Sequence, residues 1–212
     1  MARFLVRTLA DLGDALTLAP ERHLAAGMHG TDGVALGSLV VERNERVGPP
    51  LLASAVVLDT THAKDGILDV RAALRASGQA TSAKKRVMAG DLLISRLRPY
   101  LRQIALAHPA VVRACEGKEL ACSTEFYVLG PAEPGGSLAY LVPFLLGDAA
   151  QRVLAAGQEG GHHPRVPRET VLALRVPRAL VRGRHAASAR VGKALASLDA
   201  AGAAYARALR LK

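Results

Sequence analysis

Residues Val87 to Ala105 read VMAGDLLISRLRPYLRQIA, and the fold turns on this stretch more than on any other. Gly90-Asp91 reads as a turn that delivers the chain into a short buried strand, Leu92-Leu93-Ile94. Arg96, Arg98 and Arg102 follow around a bend at Pro99, with Tyr100 beside it. Guanidiniums this closely spaced make an edge suited to phosphate, because each planar group offers paired donors to anionic oxygens. Working outward, Ile104 to Ala107, Val111-Val112 and Phe126 to Leu129 are further strand-length apolar runs, divided by Pro109 and the charged turn Glu116 to Glu119. Upstream lie Val34 to Val41, the breaker Gly48-Pro49-Pro50, Ala55 to Leu58 and Gly66 to Leu74. Runs this short and this β-branched predict strands with one or two short helices. The expected fold class is α/β (α+β), with a mixed, mostly antiparallel sheet.

Residues 137–157 carry helical spacing, with Ser137 as N-cap and Gly157 as stop. Pro143 and Gly147 divide the run into two short helices or one kinked helix. A glycine-rich turn from Gly157 to His163 follows, and Val171 to Val176 predicts one more strand, ending at Pro177. From Arg184 to Leu211 the pattern changes: no proline, abundant alanine, and Val191, Leu198 and Tyr205 recurring every seven residues. Ala194/Leu195, Ala201/Gly202 and Ala208/Leu209 lie three and four places after each, completing an apolar seam. This predicts a coiled-coil-like C-terminal helix roughly 42 Å long, too long for its own domain to bury, which projects and seeks a second helix. The expected division is a domain over 1–180 and a helical segment over 184–212.

Charge narrows the function. The 212 residues carry a formal +10, but residues 1–83 sum to −1, while 84–102 hold +5 and 165–190 hold +6. Concentrated Lys and Arg point to a polyanion such as nucleic acid. With four Tyr, three Phe and no Trp, a surface that stacks single-stranded bases is short of material. The opening MARFLVRTLADLGD has no apolar stretch suited to a signal peptide or a spanning helix, so a cytoplasmic, non-membrane protein is expected.

No catalytic residue, metal or cofactor is expected. Ser123 lacks the strand-Gly-x-Ser-x-Gly-helix elbow of a nucleophile, and neither Cys115 nor Cys122 has a C-x₂₋₄-C partner to join His162-His163 around zinc. The glycines of 157–161 are not followed by the Lys-Ser/Thr of a phosphate loop.

The order of parts does resemble a known family. A GDLLISRLRPYL block (Gly90 to Leu101) precedes CSTEF (Cys122 to Phe126) and two short helices (Ser137 to Gly157). A glycine turn with a basic residue follows (Gly160 to Arg165), then a strand ending in proline (Val171 to Pro177) and a long helix with the step Leu198-Asp199. The combination looks like the specificity subunit of type I restriction-modification systems, in which each target recognition domain is followed by a helical spacer. The resemblance covers nearly the whole chain, including Leu9 to Leu16. The family's subunit has two such domains and two spacers, where this sequence has one of each.

The resemblance implies a non-catalytic, sequence-specific subunit of a phage-defence system. Its partners would be double-stranded DNA, a DNA methyltransferase subunit and a restriction or translocase subunit. On that reading Lys84, Lys85, Arg86, Arg96, Arg98, Arg102, Arg165 and Arg168 hold the DNA backbone. Gln79, Thr81, Ser82, His162 and His163, in loops beside the basic stretches, read base edges. A homodimer is expected through Val191, Ala194, Leu195, Leu198, Ala201, Tyr205, Ala208 and Leu209. The alternative is a basic interaction or assembly scaffold without sequence-specific DNA binding.

Overall fold

The run after Gly90 is a strand buried on both faces. In the computed structural model, which describes residues 32–75, 82–115, 117–160 and 163–210 together with Val6, Thr8 and Ala10, the central sheet has four strands. These are β2 (Val40–Glu42), β8 (Leu92–Ser95), β9 (Ile104–Leu106) and β11 (Phe126–Pro131), in the order β2-β11-β8-β9 and antiparallel throughout. Leu93 sits opposite both Val128 and Ala105. Successive side chains point to opposite faces. Leu92, Ile94, Ile104, Leu106, Tyr127 and Leu129 enter one core, while Leu93, Ala105, Phe126 and Val128 enter another. Burial on both sides is why these runs read as unbroken apolar segments and not as an alternation.

Helices cover the first face: α4 (Leu141–Leu146), α5 (Asp148–Ala156) and α6 (Arg168–Ala173) contribute Leu141, Leu145, Leu154 and Val171. The other face packs on a second sheet, ordered β3-β7-β10-β4, from β3 (Arg46–Val47), β4 (Val56–Leu58), β7 (Lys84–Arg86) and β10 (Leu120–Cys122). Its pairings are antiparallel except β10 with β4, which is parallel, so the mixed and mostly antiparallel expectation holds. A hairpin of β5 (Ala63–Lys64) and β6 (Ile67–Leu68) turns at Asp65-Gly66, both at positive φ, the backbone that a tight hairpin turn requires. β1 (Val34–Ala35) pairs with β12 (Arg175–Val176). Short helices α1 (Pro49–Leu52), α2 (Val70–Arg75), α3 (Pro109–Arg113) and α7 (Arg178–Arg182) complete the domain, ahead of α8 (Arg184–Arg210).

The Gly90-Asp91 turn is pinned from inside. Asp91 is 1% exposed, and its carboxylate accepts the Met88 N–H at 2.8 Å and Arg43 Nε at 2.9 Å. Burial pushes its carboxyl above the usual range, against the pull of those two donors. Gly130 makes the pairing sterically feasible: a Cβ there would stand 2.5 Å from Arg43 Nε.

Three expectations are corrected. Val111-Val112 is helical, in α3, because Pro109 occupies the first turn and His108 Nδ1 accepts the Ala110 N–H. Residues 171–176 are not one strand: α6 runs to Ala173 before β12 begins, with Glu169 in its first turn. The third concerns α8, whose 27 residues span roughly 40 Å. It does not stand free of the domain. Ala187 is buried, Val191 and Leu195 pack on the helix-covered core, and Arg71 of α2 pairs with Asp199. Val191 and Leu195, expected in an intermolecular seam, are therefore spent on intramolecular packing. Among the described residues no helix is long and apolar enough to cross a membrane.

Candidate nucleic-acid interface

Three segments distant in sequence are laced together at one end of the central sheet. The Arg96 N–H donates to the Glu125 carbonyl at 2.9 Å, the Val166 N–H to the Arg96 carbonyl at 2.8 Å, and the Arg98 N–H to the Pro164 carbonyl at 3.3 Å. Leu97 bridges Arg165, and Arg165 in turn exchanges two 2.8 Å hydrogen bonds with Glu159. From below, the buried Tyr127 hydroxyl donates to the Val166 carbonyl at 2.8 Å. The RLRPYL block, the CSTEF block and the glycine turn thus share one edge.

The tip of that edge is a 3₁₀ turn, Pro99–Leu101, flanked by Arg98 at φ 44° and Arg102 at φ 52°. Non-glycine residues in the left-handed region cost of order 1–3 kcal/mol each, and they persist where the surroundings over-determine them. Here Pro99 is buried while Tyr100 is 62% exposed and Leu101 40%. Arg98 is exposed, with Nη2 3.5 Å from His163 Nδ1.

The other predicted basic residues fall into distinct environments. Arg96 and Arg165 meet at Glu125, whose carboxyl is held below the usual range chiefly by hydrogen bonds from Arg165. Arg102 braces the turn, its Nη2 donating to the Leu146 carbonyl at 2.7 Å and its Nε lying 3.2 Å from Asp65. Arg168 pairs with Glu42. On the second sheet Arg86 lies between Glu45 (3.0 Å) and Glu119 (3.3 Å), and Lys84 Nζ donates to Ser82 Oγ at 2.9 Å.

Lys85 is a correction. It is 7% exposed, donates to the Phe126 carbonyl at 2.9 Å, lies 3.7 Å from Glu42 and sits over the Tyr127 ring. Burial pushes its ammonium pKa down. Strand alternation turns it inward between Lys84 and Arg86, so it is not at a surface where a phosphate could reach it. Of the base-reading candidates, Ser82 and His163 are exposed, while Gln79, Thr81 and His162 lie outside the described residues. Sequence reasoning did not single out Glu125 and Glu42 as site residues. Glu42 has a local signal beside Arg43 and Arg46, whereas no arginine lies between Arg113 and Arg152 to mark Glu125.

Cys122 is fully buried, and burial pushes its thiol up to about 12. Cys115 is also buried and free.

No family model matches the sequence, and no curated protein matches it either. Solved structures do match. A chain from a structure explaining complex assembly and conformational transition of the type I R-M system superposes with a TM-score of 0.52 at 21% identity, over 84% of this chain and 45% of that one. This chain shares the fold of that chain. It spans less than half the length of the protein it matches. The HsdS subunit from Thermoanaerobacter tengcongensis overlaps with a TM-score of 0.44 at 21% identity, over 70% of this chain and 39% of that one. Arg96, Arg98 and Arg165 belong to the edge, and Ala187 to Asp199 ride on the helix-covered core and α2.

Proposed function

We propose that the chain is a non-catalytic, sequence-specific duplex DNA-binding subunit of a type I-like restriction-modification system, which directs a methyltransferase partner to its site. One observation carries this reading: Arg96 and Arg98 meet His163 and Arg165, from a segment about 65 positions away, on one exposed edge. Backbone phosphate is gripped by guanidiniums held at fixed bearings, and sequence is read by polar side chains beside them. Lys84, Arg86 and Arg168 extend the basic surface, and His163 and Ser82 are the described candidates for base contact. Arg102 supports the turn from behind. Replacing Arg96 and Arg98 together with Ala lowers the salt slope of duplex binding by up to about 1.8, at roughly 0.9 per phosphate contact. An unchanged slope in a folded variant refutes the clamp.

We also propose pairing of two copies through the distal part of α8. Leu198, Tyr205 and Leu209 are 52%, 68% and 60% exposed, beside a groove of about 530 Å³ between this helix and α2. Ala194, Ala201 and Ala208 are exposed too, and small enough to let a second backbone approach. Two domains related by a two-fold axis would read a palindromic site. Light scattering tests this: a dimer that Leu198→Glu converts to a monomer supports it. A wild-type monomer leaves the helix as a docking element for the methyltransferase.

A further inference from the structure

Two arginines of the laced edge share one carboxylate, that of Glu125. Glu125 is fixed at the start of β11, its N–H donating to Ser123 Oγ at 3.3 Å and its carbonyl accepting the Arg96 N–H at 2.9 Å. Arg165 grips its carboxylate as a fork, Nη2 to Oε1 at 2.9 Å and Nε to Oε2 at 3.1 Å. Arg96 Nε stands 3.3 Å from the same Oε2, yet it is buried and makes no aligned hydrogen bond. One carboxylate therefore sets the bearing of two guanidiniums that come from different loops. It locks one and holds the other by charge alone. All three side chains keep a part of their surface in solvent.

An edge of arginines with no acid would hold any duplex, since phosphate is the same at every sequence and the resulting affinity is electrostatic. Discrimination needs less net charge and more fixed direction. We propose that Glu125 is a specificity-determining residue of this edge: it fixes Arg165 and Arg96 in place and offsets one of their two charges, so that a duplex of matching backbone shape is gripped and other duplexes are held weakly. The proposal rests on reading the edge as a duplex DNA surface.

The test uses the purified chain, the duplex that it enriches from a random pool, and a scrambled duplex of the same base composition. Affinities are measured across a salt series. Glu125→Gln frees one charge, so the salt slope on scrambled duplex rises by up to about 0.9, which is up to about eightfold in affinity per decade of salt. The preference for the enriched duplex falls by a similar factor. Arg165→Lys keeps the charge and loses the fork, so the preference falls while the slope stays. A folded Glu125→Gln that leaves both affinities unchanged, or lowers both equally, makes Glu125 a structural brace and overturns the proposal. If Glu125→Gln does not fold, an unaltered preference in Arg165→Lys overturns it alone. A wild-type chain that binds neither duplex defeats the DNA-binding reading, and the proposal with it.

Discussion

Replacing Asp91 with Ala tests whether the GD step of the decisive stretch is structural. The Asp91 carboxylate is 1% exposed and accepts from the Met88 N–H and Arg43 Nε. Its loss leaves a part-buried N–H without an acceptor, at about 1–3 kcal/mol, together with the net value of the charge-assisted bond from Arg43, at about 1.5–3 kcal/mol. Arg43 is 39% exposed and rehydrates, so the second contribution falls toward the low end and the total comes to about 3 kcal/mol. For a domain of this size that lowers Tm by about 6–12 °C. Asp91→Asn keeps one acceptor and sheds the cost of a buried charge, so it loses less than Ala. Circular dichroism melts of the three proteins at neutral pH read the order directly. A Tm for Asp91→Ala within about 2 °C of wild type, or Asn destabilising more than Ala, refutes the reasoning.

Three further outcomes follow. Lys85→Met strands the Phe126 carbonyl and leaves Glu42 to Arg168 alone, costing about 1–3 kcal/mol in chemical denaturation while leaving the salt slope of DNA binding unchanged; a lowered slope would return Lys85 to the phosphate surface. Glu125 has a depressed folded-state pKa, so its contribution is present above the ordinary glutamate range near pH ~4.3 and is lost as pH falls through the folded value. Acid unfolding profiles of Glu125→Gln should therefore be flatter below that range, and identical profiles would contradict the pairing with Arg165. Cys122, with its thiol at about 12, resists alkylation at pH 8 in the folded chain and reacts in denaturant; fast native labelling at this position would show that the β10 region opens.

The central sheet was legible because both of its faces are buried, which leaves Leu92 to Ile94 and Phe126 to Leu129 as continuous apolar runs bounded by turn residues. Val111-Val112 misled because two β-branched residues after a proline look the same in a strand as in one turn of helix. The period of α8 was plain, but its docking was not, since Arg71 and Asp199 are 128 positions apart. The same limit applied to the site. Clustered arginines could be counted along the chain, whereas their acids arrive from afar, Glu42 to Arg168 across 126 positions and Glu125 to Arg165 across 40. Lys85 is different: the inward turn of the middle residue in Lys84-Lys85-Arg86 follows from strand alternation and was open to a closer reading.

The measurement that bears most directly on the account is selection from a pool of random duplexes by the purified chain, followed by titration of the enriched sequence against a scrambled one at several salt concentrations. The account predicts a defined enriched sequence, an affinity that falls as salt rises, and a cost of about 1–3 kcal/mol for each base pair changed within it. A folded chain that enriches no sequence, and binds scrambled and selected duplexes alike at every salt concentration, contradicts it.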